Sequence, residues 1–334
     1  MDLENEKYSR LTALSKLGVV PNFADIRNMT VILIGVGGVG SVAAEMLVRC
    51  AIGKLVMFDY DTVETANMNR MFFMPDQVGS TKIDAAISTL SRISEGAVDL
   101  SGFNGNITSI EYYGKLKAEI IHAQNFSSRD NTLVLCCVDN YAARVSVNRA
   151  CLETDQTWVE SGVSETALSG HIQVMIPGVS GCFECAPPTV MAEQGDERNI
   201  LRNGVCAASL PTTMSIIGGL LVQTALKVLL KFGEVNGCVG YNALTDFFPS
   251  YRIKPNTDCI SDLCRMRQET SQLKVEKHQE EEDLPVIQPD VCRIANQWNI
   301  EVVSPPLESE EARCSDSNYG GSSINELVER LRRR

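Results

Sequence analysis

Apolar positions along the first 266 residues come in two rhythms. Val31-Ile32-Leu33-Ile34 is a short unbroken run, as a strand buried on both faces would be. Lys54 to Phe58 forms a second such strand, ending at Asp59, and further candidates lie near 98–103, 132–138 and 157–162. Between them the spacing turns helical, over 7–20, 40–50, 80–93, 112–124 and 140–154. Strands alternating with helices predict a mostly parallel sheet with both faces covered, a Rossmann-like doubly wound α/β fold.

The rhythm then changes. Ser169 to Ile176 reads as a strand, and residues 187–205 are polar and irregular, which suits an exposed crossover. Pro211 is placed to open a long helix that Gly233 closes, and Gly218-Gly219 inside it predicts close helix packing. Strands at 237–243 and 246–253 add a C-terminal antiparallel part. These elements define one domain over 7–266, after a flexible N-terminus at 1–6. The remaining 267–334 read as a disordered tail, with linker composition over 268–295 and 304–321. Two islands interrupt it, one around Trp298 (296–304) and one at the C-terminal end (322–334).

Composition narrows the function classes. The 334 residues are 44% hydrophobic and carry a net charge of -12, which argues against nucleic-acid binding. The acidic start, Met1 to Glu6, is no signal peptide, and the longest apolar run, Ile216 to Leu230, is broken by Gln223 and Lys227, so no transmembrane segment is expected. Twelve cysteines without a secretory signal point to a reducing compartment, with metal ligands, nucleophiles or core thiols rather than disulfides. A cytoplasmic location is expected, with the nucleus or the endoplasmic reticulum surface as alternatives.

The cysteines divide into groups. Cys182-x-x-Cys185 and Cys259-x-x-x-x-Cys264 are two close pairs, far apart in sequence, whose four thiolates can close a tetrahedral structural zinc site. Cys206, in Gly204-Val205-Cys206-Ala207-Ala208, is left free for chemistry, beside the start of the helix opened by Pro211. Cys136-Cys137, Cys50, Cys151 and Cys238 read as core, and Cys292 and Cys314 fall in the tail. No histidine adjoins Cys206; His171 is weighed as its activator against a plain structural role.

Gly35-Val36-Gly37-Gly38-Val39-Gly40 leaves a strand and opens a helix, so backbone can approach phosphate at a helix N-terminus. Asp59 ends the next strand at the distance of a ribose contact. That much fits an ordinary dinucleotide site. Asn67-Met68-Asn69-Arg70 and Lys82 turn the reading toward phosphoryl or adenylyl chemistry, where cations meet developing charge. Asp139, closing the 132–138 strand, can hold magnesium on ATP. A nucleotide site with a spare thiol suggests that an acid is activated and then captured on sulfur.

These residues, with Asp139-Asn140, resemble the ubiquitin-like-modifier activating enzymes and the bacterial sulfur-carrier adenylating enzymes. Glu160-Ser161-Gly162-Val163-Ser164, Gly170-His171-Ile172-Gln173, Cys182 to Pro188 and Gly204 to Thr213 are similar to the branch that activates the ubiquitin-fold modifier. The resemblance implies adenylation of the modifier's C-terminal glycine, a thioester on Cys206, and transfer to a dedicated conjugating enzyme. It implies nucleotide contacts at Gly38, Asp59, Asn106 and Asn140, phosphate contacts at Arg70 and Lys82, and magnesium at Asp139. It also implies a homodimer, with Arg10 of Tyr8-Ser9-Arg10 reaching the partner's ATP site.

In the tail, Trp298 with Ile300 and Val302 suits strand addition to a partner's sheet. The family carries a modifier-binding motif there, and autophagy-type ubiquitin-like modifiers are a further expected partner. Ile324, Leu327, Val328 and Leu331 share one helical face before Arg332-Arg333-Arg334, where the family recruits the conjugating enzyme. The rival readings are a sulfur-carrier adenylase, a non-catalytic subunit of an activating enzyme, and a nicotinamide oxidoreductase. Modifier-dependent exchange separates the first two from the leading one; the Asn-x-Asn-Arg segment disfavours the last.

Overall fold

The computed structural model describes residues 6–186 and 208–279, the last six of these by backbone alone. Helices are α1 (Ser9–Lys16), α2 (Gly38–Arg49), α3 (Lys82–Ser94), α4 (Ile110–Ser127), α5 (Tyr141–Glu153), α6 (Pro211–Leu230) and α7 (Asp262–Gln279). Strands are β1 (Thr30–Ile34), β2 (Lys54–Asp59), β3 (Asp99–Asn104), β4 (Thr132–Cys136), β5 (Trp158–Val163), β6 (Ser169–Met175), β7 (Cys238–Asn242) and β8 (Ser250–Tyr251).

They form one sheet in the order β3-β2-β1-β4-β5-β6-β7-β8. The first five strands pair in parallel, and β5 to β8 pair antiparallel. Alternate residues of one strand feed two different cores, as the two-residue pleat requires. Val31 and Leu33 of β1 join Leu47, Leu90 and Leu221, under α2, α3 and α6. Ile32 and Ile34 join Leu116, Ile120 and Val147, under α4 and α5. The sheet is therefore wound on both faces, as the run pattern predicts.

The long helix α6 packs on α2, β5 and β6. Gly218 is the close-packing position: a β-carbon there would lie 3.4 Å from the Val39 carbonyl oxygen, whereas Gly219 faces open space. Among the described residues α6 alone is long and apolar enough to cross a membrane, and most of it is buried against the domain. It closes at Lys231 in the left-handed conformation, φ 53°, with Gly233 two residues beyond. The sequence reading gave that role to Gly233.

Two further expectations need correcting. The 246–253 strand shrinks to Ser250–Tyr251, because an irregular turn brings Phe247 back to bridge Asn242. The linker expected from residue 268 starts later, since α7 runs through the expected boundary at 266 to Gln279. Its polar sequence hid it. Arg267 gives it an anchor that periodicity does not show, donating to the Leu152 and Glu153 carbonyls at 2.7 and 2.9 Å. These are carbonyls left over at the end of α5, where a cation is favoured. The crossover 187–205 and both tail islands lie outside the described residues.

Candidate active site

In a doubly wound sheet the ligand crevice lies where the strand order reverses, beyond the strands' carboxyl ends. Here that point is between β1 and β4, and a cavity of about 430 Å³ opens there. The turn after β1 is shaped by glycine. Gly35 has φ +89°, and a β-carbon there would lie 2.8 Å from the Cys137 carbonyl oxygen. A β-carbon at Gly40 would collide with the Gly35 carbonyl oxygen. Gly38 begins α2 with Met214 Sδ packed where a β-carbon would stand, and Gly37, Gly38 and Val39, whose N–H groups lie at or before the helix's first turn, all line the cleft.

Asp59 closes this loop from β2. Its carboxylate accepts from the Val36 N–H at 2.6 Å and the Asp61 N–H at 2.8 Å. Burial pushes its pKa up, against the pull of Lys82 and these two N–H groups. Lys82 is 7% exposed and pairs with Asp61 at 2.7 Å. The Arg70 guanidinium lies within 3.9 Å of where a β-carbon on Gly37 would stand. Arg70 Nε also donates to Ser209 Oγ at 3.2 Å, and Asn69 Nδ2 to the Ser209 carbonyl at 3.1 Å. Asn67 is buried and caps the same segment, accepting from the Glu64 N–H at 3.0 Å.

Across the cleft, Asp139 lies three residues past β4, exposed and without an ion-pair partner among the described residues. Asn140 caps α5, its Oδ1 accepting from the Ala143 N–H at 2.8 Å. Asn106 Oδ1 accepts from Thr108, which tightens the turn before α4. Both asparagines line the cleft, with their side-chain oxygens engaged in local turns.

The two cysteine pairs meet elsewhere. Sγ atoms of Cys182, Cys185, Cys259 and Cys264 all lie within 4.8 Å of one another. Cys182 to Cys259 is 3.7 Å and Cys185 to Cys264 is 3.6 Å. A tetrahedron with zinc–sulfur bonds of ~2.3 Å has edges of about 3.8 Å, so these four thiols could hold zinc. Backbone and amide N–H groups of Asn256 and Gln268 point at Cys185 and Cys264, both at 3.4 Å. Donation from the Cys182 and Cys264 thiols holds Cys185 far below the usual thiol range, while burial pushes Cys259 up to about 12.

The ThiF family model matches residues 8–261. Ubiquitin-like modifier-activating enzyme 5 of Arabidopsis thaliana is 48% identical over 327 residues, 95% of this chain and 76% of that protein. The Rattus norvegicus protein of the same name is 49% identical over 308 residues, 92% of this chain and 76% of its own length. The chain belongs to the ThiF family and to the ubiquitin-like modifier-activating enzyme 5 group. In fold it is also similar to the crystal structure of E. coli MccB with ATP, TM-score 0.61 at 19% identity over 77% of this chain and 74% of that one.

For a member of this family the sequence-predicted residues divide cleanly. Gly38, Asp59, Arg70, Lys82, Asn106, Asp139 and Asn140 all line the one cleft. The four paired cysteines come together in a separate cluster. Cys206 lies outside the described residues. Ala208, two residues on, lines the cleft, and its N–H donates to the Glu165 carbonyl at 2.8 Å. His171 is paired with Glu160 at 2.8 Å, and Arg10 sits exposed on α1.

Cys137 packs against the core as read for it and also lines the cleft. Cys136 is fully buried, but Cys137 reaches the cleft wall, because the chain leaves β4 between the two. Burial holds the Cys137 thiol high, at about 12, so it is no ready nucleophile. Sequence reasoning missed Ser209, which ties the Arg70 segment to the start of α6. It also missed Glu160, although an acid amid the apolar run of β5 was a visible signal.

Proposed function

We propose that the chain activates the C-terminal glycine of a ubiquitin-fold modifier, first by adenylation with ATP and then by capture on Cys206. One observation carries this reading: cations and an acid converge on a glycine loop at the switch point, beside the segment leading from Cys206. A hydride-transfer site has no need of Arg70 and Lys82 there, whereas a reaction building charge on phosphate does.

In the proposed arrangement ATP lies across the loop. Asp59 takes the ribose, the α2 N-terminus at Gly38 takes phosphate, and Asn106 and Asn140 flank the nucleotide. Arg70 and Lys82 face the phosphates. Asp139, free of any ion pair among the described residues, would hold magnesium. Magnesium bound there supplies charge that offsets the departing phosphates.

A carboxylate oxygen of the modifier attacks the α-phosphorus, the bond to the bridging oxygen breaks, and pyrophosphate leaves. The Cys206 thiolate then attacks the acyl carbon, and AMP leaves with the carbon–oxygen bond electrons. Chain geometry supports the second step, since two residues span at most ~7 Å and Ala208 lines the cleft. The helix N-terminus at Pro211 favours a nearby thiolate.

The same reading assigns the Cys182, Cys185, Cys259 and Cys264 cluster a structural zinc, with no open position for chemistry. It includes a homodimer, a conjugating enzyme recruited by residues 322–334, and modifier binding at 296–304, autophagy-type modifiers among the partners. A cytoplasmic location goes with it. Modifier-dependent exchange of pyrophosphate into ATP is the test. Exchange with the ubiquitin-fold modifier and none with ubiquitin supports the proposal; exchange with neither refutes it.

A further inference from the structure

One ionic cluster on the cleft wall has no role in the scheme above. Glu160 on β5 is 1% exposed, yet it carries a carboxylate. Arg144 Nε stands 2.9 Å from one of its oxygens and His171 Nε2 2.8 Å from the other. Neither contact is aligned as a hydrogen bond, so Glu160 is held by the charge of Arg144 and by packing against His171. Burying a carboxylate is costly unless a cation is fixed beside it.

The backbone is built around this cluster. His171 stands opposite Gly162 in the antiparallel β5–β6 pairing. A β-carbon on Gly162 would lie 2.8 Å from His171 Cε1 and 3.2 Å from Arg144 Nη2. With no side chain there, the imidazole leans across to Glu160, and the guanidinium lies over the Gly162 backbone. Arg144 sits in the early turns of α5, where the helix dipole disfavours a cation. Among the described residues its guanidinium has no ion-pair partner besides Glu160, which it meets through Nε, and Arg144 is a lining residue of the cleft.

Location decides what Arg144 faces. Arg70 and Lys82 belong to the glycine-loop side, beyond β1 and β2. Arg144, Ser161 and Glu165 wall the opposite side, beyond β5. Ala208, the first described residue after Cys206 in the sequence, is tied to Glu165 on that same side. Any acyl group passed from phosphate to Cys206 must sit between the two sides. We propose that Arg144 is the group that receives the modifier's C-terminal carboxylate and directs it at the α-phosphorus, with Glu160 and His171 as positioning residues. The proposal rests on the adenylation reading above. A planar fork with donors to spare is the side chain suited to a carboxylate.

The test compares the modifier as free acid with the same modifier carrying a C-terminal carboxamide. Affinities are measured by calorimetry on the full chain saturated with a non-hydrolysable ATP analogue. Wild type is expected to prefer the acid by about tenfold or more. Arg144→Gln is expected to bring the ratio close to one while analogue affinity changes less than about twofold. Arg144→Lys, which keeps the charge and loses the fork, falls between, and it carries the test if Arg144→Gln does not fold. Glu160→Gln lowers the acid preference and leaves carboxamide affinity unchanged, which a general loss of structure would not do.

An unchanged acid-to-carboxamide ratio in the Arg144 variants overturns the proposal. So does an equal loss of analogue affinity, which would make Arg144 a nucleotide residue. Failure of the adenylation reading itself shows earlier and separately, as wild type without modifier-dependent pyrophosphate exchange.

Discussion

Removing metal from the four-cysteine cluster tests whether it fastens the fold. Cys182-Cys185 and Cys259-Cys264 are joined by a loop of about 75 residues, and cross-linking its ends removes up to about 4.5 kcal/mol of unfolded-chain entropy. The native side needs little rearrangement, because the 3.6 and 3.7 Å sulfur separations already match a zinc tetrahedron. Real cross-links deliver less than the entropy ceiling, so a loss of about 3 kcal/mol is expected. For a domain of this size that lowers the melting temperature by about 6 °C. The assay is thermal unfolding of wild type, of wild type after chelation, and of Cys259→Ser, with released zinc titrated by a metal-sensitive dye. A shift under about 2 °C after verified metal removal would refute the reasoning. So would purified protein that contains no zinc.

Lys82→Met is expected to slow pyrophosphate exchange at least a hundredfold while costing less than about 1 kcal/mol of stability, since its partner Asp61 is 47% exposed and can be hydrated; equal exchange rates would remove Lys82 from the chemistry. Gly40→Ala drives a methyl into the Gly35 carbonyl, backbone that cannot yield, and is expected to cost about 3 kcal/mol and most ATP affinity, read by denaturant titration and nucleotide binding. Cys206→Ser should keep exchange and lose the thiol-sensitive modifier adduct on non-reducing gels; a surviving reducible adduct would move the nucleophile elsewhere. Truncation after Gly321 should spare that adduct and slow transfer to the conjugating enzyme in a single-turnover assay, and an unchanged rate would argue against the tail's role.

Elements with one dominant signal were legible in the sequence. Val31 to Ile34 could hardly be anything but a strand buried on both faces, and Pro211 marks the first turn of α6. Gly38, Asp59, Asn106, Asp139 and Asn140 were legible because each lies within four residues of a strand's carboxyl end, whereas Arg70 and Lys82, 11 and 23 residues past β2, were found by their charge and by the Asn-x-Asn-Arg pattern. What escaped notice depends on partners distant in sequence. The helix α7 is too polar to show a face and owes its place to Arg267 on the carbonyls of α5. The pairing of Glu160 with both Arg144 and His171 needs the β5–β6 register and the α5 docking together. Cys137 shows the limit of residue-type reasoning: one residue separates a sealed core thiol from a cleft wall.

The helix α5 has a wider consequence. Asn140 caps its first turn at the cleft. Eight residues on, Asn148 holds the Cys182 knuckle, donating to Glu184 at 2.9 Å and accepting from the Phe183 N–H at 3.2 Å. Its last carbonyls receive Arg267, just past Cys264. A single rod of about 20 Å thus spans the nucleotide cleft and the cysteine cluster. Binding free energies at two ends of a shared rigid element are reciprocal. Whatever tightening nucleotide brings to a metal's hold on the cluster, that metal would return to the nucleotide, so coupling through α5, if measured, must appear equally from either end.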